Sequence, residues 1–363
     1  MRVLFADLER EWRGGQSQAF LTIQGLRDNG HEIELLAARN SPLAQRSARK
    51  EIPVHQVPRF GLRAWAARAM RRLIAEGRFD LVHLNEPHAV TAAWMAGVQA
   101  RVPLLFSRRI GFPLQTNWVS RRRYRAIDRF LPNCKDVAHS LLEAGIAPER
   151  MTVVYEGVEL PPPITLEMRL SARKQWGVKE DEFLFGCASV FVPEKGQRHL
   201  IEALPQVREK FPQARLLLAG DGRCRAELES RANQLKQNDA VIFAGFVENV
   251  GQVYAALDAF VFPSEIEGTG TALQAAMAWG LPCISTARGG LNEVVENERT
   301  AIVVEPNGKE FARAMIRLLG DGALRKRLGE AGRCEIEKRF SAEQMVQNTV
   351  RVYEDVLIKW QAK

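Results

Sequence analysis

Residues 260–295 read FVFPSEIEGTGTALQAAMAWGLPCISTARGGLNEVV, and the reading of the fold starts there. An apolar run of strand character ends at Pro263, a loop carries Glu265 and Glu267 to the glycines Gly268 and Gly270, and an apolar helix starts near Thr271. Strand, glycine turn and helix in that order aim backbone N–H groups and the positive end of a helix at one spot, which suits a diphosphate. Glu267 stands just before that spot. Its charge repels phosphate, so its oxygens are better matched to the hydroxyls of a sugar. A Gly-x-Gly after a strand also serves ordinary tight turns, so the two glycines alone decide nothing.

The same alternation extends outward in both directions. Short apolar runs at 183–188, 215–219, 240–244, 259–262, 282–286 and 301–304 read as strands. Helical patterns at 198–210, 223–237, 251–257, 271–279 and 309–319 lie between them. The first half repeats the scheme, with strands expected at 2–6, 32–37, 81–84, 103–107, 129–133 and 152–155 and helices at 16–29 and 64–76. Alternating strands and amphipathic helices predict parallel sheets wrapped by helices. Pro161, Pro162 and Pro163 stiffen an extended linker and mark a boundary, giving one domain over 1–160 and another over 161–340. The fold class expected is α/β, two doubly wound Rossmann-like domains facing across a cleft, with ligand at the carboxyl ends of the strands.

At 363 residues the chain has room for two domains of about 150 to 180 residues each. Its 46% apolar and 26% charged composition is that of a globular protein. The start MRVLFADLEREW carries no secretory pattern, and no segment approaches the roughly 20 apolar residues that cross a bilayer. Five widely spaced cysteines without a CxxC pair read as reduced core thiols, and a cytoplasmic location is expected. The net charge of +8 is uneven. Residues 59–78 hold Arg59, Arg63, Arg68, Arg71, Arg72 and Arg78 against Glu76, and residues 101–129 hold eight arginines against Asp128. Such a field attracts anionic lipid, nucleic acid or a phosphorylated substrate. Leu62, Trp65, Met70 and Leu73 give 59–78 an apolar side for peripheral membrane docking; the competing reading is a helix packed on its own sheet. No aromatic-interleaved RNA motif or zinc finger accompanies the arginines, so nucleic acid ranks last.

The order Pro263-Ser264-x-x-Glu267-Gly268-x-Gly270, then Ala276-Met277-Ala278, Gly280-x-Pro282 and Gly289-Gly290-x-x-Glu293-Val294-Val295 resembles the C-terminal signature of glycosyltransferase family 4, the retaining enzymes of GT-B fold. Three further stretches fit the same family: Lys195-Gly196 in its Lys-Gly loop, Gly220-Asp221-Gly222 in a turn read as mainly structural, and 243–247, whose backbone at Val247 would meet the nucleobase. The resemblance implies transfer of a sugar from a nucleotide-sugar donor, with retention, to a glycan or lipid-linked acceptor such as a lipopolysaccharide core. Lys195 would take the donor diphosphate, with the backbone of Gly268, Thr269, Gly270, Thr271 and Ala272 beside it, and Glu267 would orient the sugar. Gly14 and Gly15, in the turn opened by Arg13, would lie against the diphosphate and the reacting sugar. His88, at a strand's carboxyl end, is an acceptor-side candidate, whereas His83 reads as a satisfied core histidine. Ser107-Arg108-Arg109 occupies the place where many relatives carry a catalytic-site histidine; Arg108 or Arg109 would hold an anionic group there. No acidic pair or His/Cys cluster marks a metal, and no cofactor beyond the donor substrate is expected. The last helix, 341–363, is expected to return to the first domain.

Two positions depart from the family pattern. Relatives carry a second acid eight residues after the first, holding the ribose hydroxyls; here that position is Ala275, and Gln274 lies roughly 100° around the helix. Losing such a charged hydrogen-bond partner costs about 1.5–3 kcal/mol, tenfold to a hundredfold in binding. Five residues before Lys195, where relatives have an arginine, stands Val190, with Arg198 and Arg288 nearby. A degenerate, non-catalytic sugar-nucleotide binder of the same fold is therefore the alternative reading.

Overall fold

The computed structural model describes residues 1–77, 79–109, 114 and 117–362, so Arg78 of the basic stretch and Lys363 of the terminal helix lie outside the described residues. The chain divides into two compact units, Met1–Gly157 with Ala342–Lys363, and Val158–Ser341.

In the first unit the strands are β1 (Arg2–Asp7), β2 (Glu32–Ala38), β3 (Val54–Val57), β4 (Leu81–Leu84), β5 (Leu104–Arg108) and β6 (Arg129–Pro132). They form one parallel sheet in the order β3-β2-β1-β4-β5-β6. Helices α1 (Gly14–Asp28), α2 (Pro42–Arg49), α3 (Leu62–Ala75), α4 (Pro87–Ala96), α5 (Trp118–Arg125) and α6 (Lys135–Glu143) connect them. Successive strand residues point to opposite faces. Leu4 and Ala6 therefore join a core with α3, α4 and α6, while Val3 and Phe5 join one with α1, α2 and the terminal helix. Every β1 residue after Arg2 is buried, which is why the strand reads as an unbroken apolar run ending in a single polar residue, Asp7.

The second unit repeats the plan. Helix α7 (Leu166–Gln175) precedes β7 (Phe183–Ala188), α8 (Gln197–Lys210), β8 (Ala214–Ala219), α9 (Arg225–Gln234), β9 (Val241–Gly245), α10 (Val250–Ala256), β10 (Ala259–Phe262), α11 (Thr271–Ala278), β11 (Cys283–Ser285), β12 (Ile302–Val303), α12 (Gly308–Gly320) and α13 (Gly322–Glu335). Its parallel sheet runs β12-β11-β10-β7-β8-β9, the same order once the strands are renumbered within the unit. The last helix, α14 (Ala342–Gln361), belongs to the first unit and packs on α1, where Val346 occupies the space that a side chain at Gly25 would need.

Three expectations need correction. The first sheet takes its sixth strand from Val54–Val57; residues 152–155 only run beside β6, with Thr152 N donating to Phe130 O and Val154 N to Pro132 O. Met70 and Leu73 are buried in the core of their own unit, so only Trp65 and part of Leu62 remain of the outer apolar side. The thiols Cys134, Cys187 and Cys283 are buried as expected, but Cys334 is exposed.

Candidate functional site

Both sheets reverse their strand order at one point, between β7 and β10 in the second unit and between β1 and β4 in the first. Loops leaving the two strands at such a point diverge and open a crevice at their carboxyl ends.

In the second unit the diverging loops are 189–196 and 263–270, and they bring Lys195 and Glu267 together across 72 positions of sequence. Lys195 Nζ donates to Glu267 Oε1, and both side chains are largely buried. Ser264 Oγ donates to the same carboxylate oxygen at 3.1 Å. The two loops are tied by backbone, Glu265 N to Glu194 O at 2.8 Å. A side chain at Gly196 (φ +66°) would strike Pro263 O, and one at Gly289 (φ +59°) would strike Glu267 O, so these glycines are demanded by the close passage of three loops. Gly270, at φ +63°, opens α11 without a side-chain cap, leaving the first-turn N–H groups of Thr271 and Ala272 at the helix's positive end. One spot thus gathers a lysine, a carboxylate already held in place and an uncapped helix start.

The neighbours of this spot answer the questions left by the sequence. Ala275 lies on the accessible side of α11, whereas Gln274 is wholly buried and spends its amide on Thr269 O at 3.1 Å, so Gln274 does not replace the missing acid. Arg198 is paired with Glu202 and Arg288 with Glu305, and Val190 itself is half exposed. Asp221 accepts from Gly222 N at 2.7 Å and from Arg225 at 3.2 Å, consistent with a structural turn. Val247 follows β9 and is half-buried.

In the first unit the reversal gathers a polar cluster that the sequence reading missed. Asp7 Oδ2 accepts from Gln16 Nε2 at 3.1 Å and Asn85 Nδ2 at 2.6 Å, and its Oδ1 accepts from Glu9 N at 2.9 Å. Arg109 donates to Asn85 Oδ1 and lies 3.3 Å from Glu156 Oε1. Asn85 also reaches Gly15 O at 3.4 Å, tying the cluster to the glycine turn. The available signal was a polar residue closing an apolar strand: Asp7 at the end of β1, Asn85 and Glu86 after β4. Of the two candidate arginines, Arg109 enters this cluster. Arg108, the other residue expected for the site, has the strand parity of Leu104 and Phe106 and turns to the other face, beside Tyr124. Gly14 and Gly15 open α1, again without a side-chain cap, and a Cβ at either would meet nothing within 4 Å.

The two histidines differ in their surroundings. His83 is buried, its Nε2 2.7 Å from Ser107 Oγ and its Nδ1 2.5 Å from Tyr353 Oη, and burial lowers its pKa to about 3, keeping it neutral. His88 is half-buried at the start of α4, where its Nδ1 accepts from Arg63 Nε at 3.0 Å. Glu9, Glu86 and His88 place metal-capable atoms within 4.8 Å of one another, a grouping the sequence reading did not anticipate. The Glu86 oxygens are already engaged, accepting from Leu8 N, His88 N and Ala89 N as the N-cap of α4.

Burial, and then the Asp7 carboxylate, push Glu86 up from 4.5 to about 8 against those three N–H donors. A folded pKa above the unfolded one means the native state keeps its proton longer. The stabilisation is complete below 4.5 and is lost as pH rises through about 8. Melting temperature should therefore fall across this window, and Glu86→Gln should flatten the fall; identical slopes in both proteins would place the titration elsewhere.

The family model described as Glycosyltransferase Family 4 matches residues 12–160, and the one described as Glycosyl transferases group 1 matches residues 168–334. The chain belongs to glycosyltransferase family 4. Among family relatives, the GDP-mannose-dependent monoacylated alpha-(1-6)-phosphatidylinositol monomannoside mannosyltransferase of Corynebacterium glutamicum is 35% identical over 193 residues, 50% of either chain. The putative glycosyltransferase EpsD of Bacillus subtilis is 24% identical over 344 residues, 89% of either chain. The chain spans about half the length of the first curated relatives it matches, 54% and 50%. The crystal structure of Anabaena Alr3699/HepE in complex with UDP superposes with a TM-score of 0.86 at 22% identity, covering 98% of this chain and 100% of that one. The fold shared with such neighbours is the two-domain, Rossmann-like GT-B fold.

Proposed function

We propose that this family member transfers a sugar, with retention of anomeric configuration, from a nucleoside-diphosphate sugar to a glycan or lipid-linked acceptor in cell-envelope synthesis. The carrying observation is the meeting of Lys195, Glu267 and the uncapped start of α11 at the strand-order reversal of the second unit. In this reading the diphosphate displaces Glu267 as the partner of Lys195. The N–H groups from Gly268 to Ala272 and the lysine stabilise the charge that develops as the sugar–phosphate bond breaks. Glu267, held by Ser264, then accepts from sugar hydroxyls. The open turn at Gly14 and Gly15 admits a phosphate or sugar where a side chain would intrude. His88 and Arg109 are the acceptor-side groups, and no metal takes part. In this reading the reaction runs at the cytoplasmic side of a membrane.

The test is turnover of nucleoside-diphosphate sugars by purified protein, with product stereochemistry read by NMR. Inverted product removes the retaining assignment. No transfer or hydrolysis of any donor favours the second reading, a sugar-nucleotide binder without catalysis, for which Ala275 is the observation. Restoring the acid tests that point. Ala275→Glu should tighten donor binding in calorimetry by about tenfold to a hundredfold, the value of one charged hydrogen-bond partner; unchanged affinity would mean that the ribose does not lie along this face of α11.

A further inference from the structure

On one face of the first sheet, apolar packing gives way to polar side chains at the carboxyl ends of three neighbouring strands. His83 follows Leu81 on β4, Ser107 follows Leu105 on β5, and Asn133 follows Leu131 just beyond β6. Each stands two positions on from its leucine and so shares its face, the one covered by α1 and α14. His83 is 1% exposed, Ser107 7% and Asn133 3%, so their hydrogen-bonding groups need partners inside the protein.

The protons of this patch can be counted. Tyr353 is fully buried, and burial pushes its pKa further up, so the phenol keeps its hydrogen. Among the described residues, its one hydrogen-bond partner is His83 Nδ1, at 2.5 Å. The phenol therefore donates to Nδ1, and neutral His83 carries its proton on Nε2. With the opposite tautomer the phenol hydrogen would be buried with nothing to accept it. Nε2 in turn donates to Ser107 Oγ at 2.7 Å. The Ser107 hydroxyl hydrogen is then left over, because among the described residues Ser107 Oγ bonds to His83 alone. Asn133 has the converse shortage: its Oδ1 is buried without a hydrogen-bond partner among the described residues. Ser107 and Asn133 line one cavity, which leaves about 10 Å³ to the centre of a water molecule. That is room for one.

We propose that this cavity binds one water molecule, which accepts from the Ser107 hydroxyl and donates to Asn133 Oδ1. Its second hydrogen has acceptors on the same walls, the Glu156 carboxylate and the oxygens of Thr22 and Thr349. Both threonine hydroxyls spend their own hydrogens on helix carbonyls, Gln18 O at 2.7 Å and Met345 O at 2.8 Å, so their lone pairs can accept. The water thus reaches the roughly three hydrogen bonds that hold a buried one. A cation is disfavoured because Arg109 lines the same cavity, and an apolar group would strand both Ser107 and Asn133. The chain from Tyr353 through His83, Ser107 and water to Asn133 fastens the terminal helix to the ends of β4, β5 and β6. It does not rest on the donor chemistry or on any reading of the reaction.

A crystal structure of the full chain should show one water oxygen about 2.6–3.2 Å from both Ser107 Oγ and Asn133 Oδ1. In solution the sign of one substitution is informative. Asn133→Leu keeps the size and removes the amide. Were Oδ1 unpaired, its loss would relieve a buried polar group, and amide hydrogen exchange in α14 and in β4 to β6 would slow or stay unchanged. With water in place, leucine expels it and strands the Ser107 hydroxyl, so exchange there should quicken by about fivefold to a hundredfold. Ser107→Ala combined with Asn133→Leu removes the stranded hydroxyl, and should quicken exchange by less than the product of the single effects. A crystal site without that water, exchange that does not quicken in Asn133→Leu, or single effects that simply multiply would each overturn the inference.

Discussion

Lys195→Ala is expected to lower kcat/KM for the productive donor by about 10²–10³, the scale on which single electrostatic contacts to a developing charge act. Glu267→Ala should match that loss, but through a different step. Lysine acts on the diphosphate, so Lys195→Ala should weaken binding of the bare nucleoside diphosphate as well as of the sugar nucleotide. Glutamate acts on the sugar, and in the free protein its carboxylate occupies the lysine. Glu267→Ala should therefore bind the bare diphosphate as well as the parent protein or better, while losing the sugar nucleotide. Calorimetry with UDP and GDP beside their sugars reads the split. Because the two side chains touch, the double variant should lose little more than the worse single one. Full additivity, or single variants with normal turnover, would remove this pair from the reaction.

The fold was legible where apolar periodicity was strong. All six strands of the second sheet were anticipated, and β7 begins and ends where its apolar run does. In the first sheet, Val54–Val57 escaped because it is a short edge strand. It follows Pro53, carries His55 and Gln56, and pairs only with β2, so neither length nor hydrophobic alternation announces it. Residues 152–155 misled for the converse reason: an apolar run beside β6 is extended and hydrogen-bonded without completing a ladder.

Within the candidate site, the difference lies between contiguous and scattered signals. Gly268, Gly270 and Glu267 sit in one ordered string, and the lysine loop stands at a recognisable distance after a strand. The cluster of Asp7, Asn85, Arg109 and Glu156 draws on four separate segments, each contributing one or two polar residues. Nothing local unites them; only the sheet order, which sets β1 beside β4 and β4 beside β5, brings them together. Choosing Arg109 over Arg108 needed the strand's true end, because a one-residue change in parity moves a side chain to the other face.

Gly15 supplies the sharpest separation of folding from function. Gly196, Gly270 and Gly289 have positive φ and sit where a side chain would collide with protein, so their replacement damages the fold and says little about chemistry. Gly15 has neither constraint: it lies in the first turn of α1 with ordinary helical backbone and empty space where Cβ would be. Glycine there costs conformational entropy and gains the protein no packing. Gly15→Ala should therefore raise stability by about 0.4–1 kcal/mol, through restriction of the unfolded chain. If the empty space is where phosphate or sugar approaches the backbone, the same methyl displaces the reacting groups and should lower kcat/KM about a hundredfold, the effect of a displacement near 1 Å. Thermal melting and turnover, measured on one preparation, give the two signs independently. A more stable protein with undiminished turnover would leave the glycine turn outside the reaction, and a destabilised one would reveal a packing constraint at α1 that its open surroundings do not contain.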